Sequence, residues 1–226
     1  MSIPMTLNFG PILNQLPYLA GGAWISLQLA VLAFALGMVI AMFCTSLLRY
    51  GPPLAGKLVN GYVVFATNTP QLIQIYFLFF ALPEAGILLS PFNAVLIGAT
   101  FNAGAYLCDI QRAGFDSVRQ REVEAAEVLG FSRLQIIRYV ILPHVMKVMF
   151  RPLSNQFIVM TLGTSMASMF GVEELTGRTY NLSSETYLSV ESFSVAAVLY
   201  IILTLIATFA LAVIGRYLFR ARTEVF

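Results

Sequence analysis

An all-α, polytopic membrane fold is what this sequence predicts, and three observations predict it. Hydrophobic residues make up 58% of the 226 and charged residues 11%, against about 25% charged in a soluble domain, and mean hydropathy is +0.81. Five runs are long, apolar and free of Asp, Glu, Lys and Arg. The Lys and Arg between those runs alternate from one side to the other. About 20 mainly apolar residues cross a bilayer as a helix, which satisfies its own backbone hydrogen bonds where water is absent.

In chain order, residues 1–48 carry no charged side chain, and about 19–47 read as the first span. Residues 1–18 have no basic n-region, and the apolar run is too long for a signal-peptide core, so the first helix is expected to stay as an anchor. The runs 58–83, 85–108, 152–172 and 192–215 are likewise uncharged. They give spans at about 58–82, 92–110, 152–172 and 193–216. Pro83, Ser90 and Pro91 mark the second gap as a turn, with the third helix starting near Phe92.

Orientation follows from placement of positive charge. Arg49 and Lys57 lie in the first connection. Arg112, Arg119, Arg121, Arg133, Arg138, Lys147 and Arg151 lie in the third, and Arg216, Arg220 and Arg222 in the tail. Residues 1–18 and the second connection have none, and the fourth has only Arg178 against Glu173, Glu174, Glu185 and Glu191. Twelve positive residues thus fall on one side and one on the other. The positive-inside rule puts the N-terminus outside, and the third connection and C-terminus in the cytoplasm. A net charge of +2 gives no argument for nucleic acid. Cys44 and Cys108 read as small buried hydrophobes, and His144 has no neighbouring ligand residue.

Two spans carry polar faces. Thr67, Asn68, Thr69, Pro70, Gln71 and Gln74 lie within the second. Pro70 removes a helix hydrogen bond and kinks the chain, while Gln71 and Gln74, three apart, share a face. Thr161, Thr164, Ser165 and Ser168 repeat the theme in the fourth, with Gly163 and Gly171 among them. Amides and hydroxyls in hydrocarbon need partners, so these faces either line a watered solute path or join helices by hydrogen bonds and close packing. Asn102, with Gly98 and Gly104, is a weaker instance. The acidic stretch Glu173–Glu191 reads as an outer loop, either solvated or facing a soluble partner.

The one long polar segment, 112–143, resolves into two short helices. Ser117-x-x-Gln120 and Ser132-x-x-Gln135 have the capping-box form. Gly130 suits the left-handed position after a helix end. The first helix is expected over about 118–129, and the second from Arg133 toward Leu142, where Pro143 ends or bends it. Val123, Ala126 and Gly130 fall on one face, with Ala125 and Leu129 beside them. A small apolar face of this kind suits close docking in a groove on a soluble protein.

Glu124-Ala125-Ala126, three residues, Gly130, nine residues, then Val140-Ile141-Leu142-Pro143 resembles the E-A-A…G…I-x-L-P loop of ABC importer permeases. One such loop between the third and fourth of five spans resembles the polar amino-acid subfamily, the histidine, glutamine and arginine type. Asn68-Thr69-Pro70-Gln71-Leu72-Ile73-Gln74 is similar to its R-G-T-P-L-x-x-Q. Gly104-Ala105-Tyr106 with Asp109-Ile110 and Arg112 is similar to G-A-Y-x-x-E-I-x-R-G. Thr164-Ser165-Met166 resembles its K-x-T-S-L, and Val172-x-Glu174-Leu175 its V-x-E-L. The resemblance covers about 18–220. Asn68 stands where Gly is usual, Ala66 or Thr67 where Arg is, Leu162 where Lys is common, and Arg121-Glu122 where Gly-Gln precedes the E-A-A. Two positive charges near the path are therefore absent, which points to a heterodimer whose other permease chain supplies them.

The resemblance implies a type I importer permease in the bacterial inner membrane, with a second permease subunit, two cytoplasmic ATPases and a periplasmic binding protein. The chain has no G-x-x-x-x-G-K-[ST] phosphate loop. ATP and Mg are then held by the partner ATPase, this chain is not an enzyme, and it needs no cofactor. Glu124, Ala125, Ala126, Leu129, Gly130 and Pro143 are the expected ATPase-coupling residues. Thr67, Asn68, Gln71, Gln74, Thr164, Ser165 and Ser168 are the expected substrate path. A permease for an opine or other small solute, or a scaffold or sensor subunit, are the alternatives. Mid-span acids suited to a coupling ion are absent from the sequence.

Overall fold

The computed structural model describes residues 7–219. The first six residues and the tail arginines Arg220 and Arg222, counted above in the charge bias, lie outside the described residues. Among the described residues every regular element is helical. A single turn, α1 (Gly10–Leu13), precedes α2 (Leu16–Tyr50). Then come α3 (Pro53–Thr67), α4 (Gln71–Tyr76), α5 (Pro91–Asp116), α6 (Gln120–Val128), α7 (Arg133–Ile136), α8 (Leu142–Gly163), α9 (Leu175–Thr186) and α10 (Ser189–Phe219). Two of these, α2 and α10, are each long and apolar enough to cross a membrane alone. A broken pair, Pro53–Thr67 with Gln71–Ala85, bent by 102°, is long and apolar enough only when its two arms are taken together.

Small residues set the central packing. On α2, Ala30, Ala33, Gly37, Ala41 and Cys44 are buried at near-helical spacing, and α5 brings Ala103, Gly104, Ala105 and Cys108 into the same core. A Cβ on Gly37 would lie 2.8 Å from that of Ala103, so the two backbones approach as closely as only glycine permits. Cys44 and Cys108 sit in this core as small hydrophobes, reduced. At the end of the bundle opposite Asp116, α9 packs between α2 and α10 around Leu19, Leu175 and Leu182.

Several boundaries differ from those expected. The third helix starts at Pro91, one residue before Phe92, with the Ser90 side chain accepting from the Asn93 N–H at 3.3 Å. The helix then continues to Asp116, beyond residue 110, where its last turns meet polar partners on α2 and α3. Arg49 meets Asp116 at 2.9 Å, and Arg112 reaches Asn60 at 3.4 Å. Pro70 does more than kink the second segment: it caps a new helix after a non-helical Asn68–Pro70 corner. The fourth helix begins at Leu142, ten residues before the expected 152, and turns 3₁₀ over Thr164–Phe170. Pro143 does not end its helix. A π turn over Ile137–Ile141 widens the helix just where the proline ring would meet the Tyr139 carbonyl, and α8 follows without a break. The acidic stretch Glu173–Glu191 is largely the helix α9, which charge patterning alone did not indicate.

Candidate coupling loop and polar pathway

The loop is built from its caps. Ser117 does not cap the first loop helix: it is the C-cap of α5, just past Asp116, and its hydroxyl donates to the Gly114 carbonyl at 2.6 Å. It also meets His144 Nε2 at 3.1 Å, tying the end of α5 to the start of α8. The helix α6 therefore starts at Gln120, after Arg119, without a side-chain cap. Its C-terminus closes as expected: Gly130 has φ +76, its N–H donates to the Glu127 carbonyl, and that of Phe131 donates to Ala126. This double bond pattern satisfies carbonyls that the helix end leaves free. Ser132 and Gln135 form the complete capping box of α7, at 3.4 and 2.8 Å.

The predicted docking face divides. Ala126 is buried, as is Ile136 on α7, while Glu124, Ala125, Gly130 and Pro143 are exposed. Leu129 is 74% exposed, and so are two residues the periodicity did not single out, Val128 (88%) and Leu134 (75%). Ala126 thus faces inward and seats the loop. The outward surface consists of Ala125, Val128, Leu129, Gly130 and Leu134.

The polar residues of the second and fourth segments separate into groups. Gln74 is buried at the 102° corner: its Nε2 donates to the Ala66 and Thr69 carbonyls at 2.9 and 3.1 Å, and its Oε1 accepts from Asn102 at 3.3 Å. Asn102 also donates to the Ala66 carbonyl at 3.0 Å. These two amides replace the helix partners lost at the corner. Gln71 and Thr164 come together on one small cavity with Ala30, Ala33 and Met160. Ser168 lines a different groove, beside Gly171, Thr176 and Asn181. Thr67 donates to Val63, Thr164 to Thr161 and Ser168 to Ser165, and the Asn68 amide donates to Val64. Ser165 is half-buried. With their protons committed to helix carbonyls, the hydroxyl oxygens keep lone pairs for a donor such as an ammonium.

One residue of consequence was not singled out for a role. Glu174 is fully buried and accepts from Ser26 at 3.0 Å, Tyr200 at 2.8 Å and the Gly177 N–H at 2.9 Å, so it caps α9 and joins it to α2 and α10. Burial pushes its carboxyl above the usual range, and those donors pull it back only in part. Glu191 is also buried and accepts from the Asn8 N–H. Of the four acids in the stretch expected to be either solvated or facing a soluble partner, Glu174 and Glu191 are therefore structural, and Glu173 and Glu185 are exposed. Only the Val172-x-Glu174-Leu175 pattern distinguished Glu174 from its neighbours in the sequence.

The signature of the binding-protein-dependent transport system inner membrane component matches residues 33–221. The chain belongs to that family. This inner membrane component is 34% identical to the glutamine transport system permease protein GlnP of Escherichia coli (strain K12) over 209 residues, 92% of this chain and 95% of the relative. It is 33% identical to the octopine transport system permease protein OccM of Rhizobium radiobacter, covering 83% of this chain and 80% of the relative. An amino acid ABC transporter crystallised with histidines superposes with a TM-score of 0.87 at 28% identity, covering 94% of this chain and all of that one. The MetNI methionine ABC transporter shares the fold, with a TM-score of 0.70 at 20% identity, over 88% of this chain and 95% of that chain. As an inner membrane component of this family, the chain is a transport subunit and not itself the ATPase.

Proposed function

We propose that this chain is the membrane-spanning subunit of an ATP-driven importer of a polar amino acid, with five spans, the N-terminus outside and the C-terminus in the cytoplasm. The observation that carries the reading is the loop 112–143. It presents Ala125, Val128, Leu129 and Gly130 outward at the end of a helix closed by a left-handed glycine, with Leu134 of α7 beside them in sequence and also exposed. Membership of the permease family supports it, as do relatives named for glutamine and octopine transport. In this reading the outward surface docks in a groove on a cytoplasmic ATPase, which holds ATP and Mg. Closure of the ATPase pair pulls the loop, and α8 transmits that pull because its helix runs on from α7 through the π turn without a hinge. A binding protein delivers solute from outside, and a second, non-identical permease chain completes the path. The single domain comprises residues 1–226. Gln71, Thr164, Ser165 and Ser168 offer it lone pairs, with Thr67 and Asn68 at the corner, while Gln74 holds the corner itself.

Gly130→Asp tests the coupling. The left-handed backbone strains any Cβ, and the charge falls on the docking surface. In proteoliposomes with the co-purified ATPase and binding protein, solute-stimulated ATP hydrolysis and uptake are expected to fall at least tenfold while the thermal midpoint of the permease moves little. Wild-type uptake in that variant would remove the docking assignment. An opine substrate remains the second reading, favoured by the similarity to OccM, and competition between glutamine and octopine in the same vesicles separates the two.

A further inference from the structure

The helices α8 and α10 each bring an arginine to one groove. Arg151 is the last charge before the uncharged run 152–172, and Arg216 is the first after the run 192–215. Each therefore stands where hydrocarbon gives way to headgroups. Packing joins them: Gly215 lies against the Phe150 ring, where a Cβ would come within about 2.5 Å, and Phe150 meets Phe219 edge-on with centroids 5.4 Å apart. Between α8 and α10 this leaves an open groove with an apolar floor of Ala212 and Val213, flanked by Tyr217 and lined by both Arg151 and Arg216. Both arginines are exposed, and neither has an acidic partner within 4.0 Å among the described residues. In contrast, Arg49 and Arg112 share Asp116.

We infer that this groove is a binding site for the phosphate headgroup of an anionic phospholipid, with an acyl chain lying along Ala212 and Val213. Two guanidinium groups on one groove repel each other until an anion bridges them. A phosphate accepts from guanidinium forks in bidentate fashion, and at this depth the abundant anion is the headgroup phosphate. Aromatic rings at the same level suit the interface. Placing the site in the inner leaflet rests on the orientation proposed above; the headgroup chemistry does not.

Native mass spectrometry of the delipidated full chain, offered equal phosphatidylglycerol and phosphatidylcholine, tests this without reference to transport or to orientation. Each basic residue near a membrane surface favours an anionic lipid about fivefold. Wild type is therefore expected to retain phosphatidylglycerol about 20-fold over phosphatidylcholine. Arg151→Gln and Arg216→Gln should each lose most of that preference and the double variant all of it, while the Arg151→Lys, Arg216→Lys pair keeps part. Lys57→Gln, away from the groove, should change nothing. Equal retention of both lipids by wild type overturns the proposal, as does preference surviving in the double variant. Displacement of the lipid by inorganic phosphate, or a groove found covered by a second copy of the chain with no lipid bound, overturns it as well. A normal thermal midpoint in the glutamine variants excludes misfolding as the cause of lost binding.

Discussion

Glu174 has no solvent exposure, and a buried carboxylate costs several kcal/mol unless its oxygens are met. Ser26, Tyr200 and the Gly177 N–H meet them, each from a different part of the chain. Glu174→Ala strands those three donors and is expected to cost about 3 kcal/mol, read as a lower thermal midpoint in detergent. Glu174→Gln keeps the shape and costs less. The pH dependence follows from the sign of the shift. Burial raises the folded pKa, so the contribution of this group is fully present below the ordinary carboxylate pKa and is lost as pH rises through the raised value. Unfolding midpoints measured from acid to neutral pH should fall with pH more steeply in wild type than in Glu174→Gln. Beyond the Val172-x-Glu174-Leu175 pattern, nothing in the local sequence separates Glu174 from the exposed Glu173 beside it. The difference is decided by Ser26 and Tyr200, which lie 148 and 26 positions away along the chain.

The broken second segment shows which part of an element its own sequence can specify. Pro70 lacks an N–H and bars a continuous helix, so an interruption is legible. That it becomes a corner of 102° depends on the freed Ala66 and Thr69 carbonyls finding Gln74 and Asn102. Gln71 and Gln74 look equivalent in spacing, yet one faces a cavity and the other is consumed by the backbone. Gln74→Leu is accordingly expected to destabilise by about 2 kcal/mol through unmet carbonyls. Gln71→Ala should leave the thermal midpoint near wild type while lowering uptake. Equal thermal losses in the two variants would show that the glutamines share one structural role. The loop gives the complementary lesson. Gly130 and the Ser132 box were readable because each is a local hydrogen-bond device. Ser117 has the same spelling as Ser132, but α5 reaches it first and takes its hydroxyl.

At the scale of the molecule, orientation is the property that gives the loop its place. Ser132 and Ser184 are both exposed, one on the loop and the other on α9. With a membrane-impermeant thiol reagent on oriented vesicles, Ser132→Cys should label only from the cytoplasmic face and Ser184→Cys only from the outer face. The reverse pattern would invert the topology, and labelling of both from one face would change the number of spans. The sequence by itself determined the helical membrane class and the family, together with the loop's caps. Those depend on composition, on charge order and on hydrogen bonds between residues a few positions apart, all written locally. Tertiary structure alone decided which polar groups are spent inside the protein and which remain free. It turned Ala126 inward and left Leu134 out, buried Glu174 beside an exposed neighbour, and set Arg151 and Arg216 on one groove. Those outcomes are contacts between distant segments, and a single segment carries no record of what will pack against it.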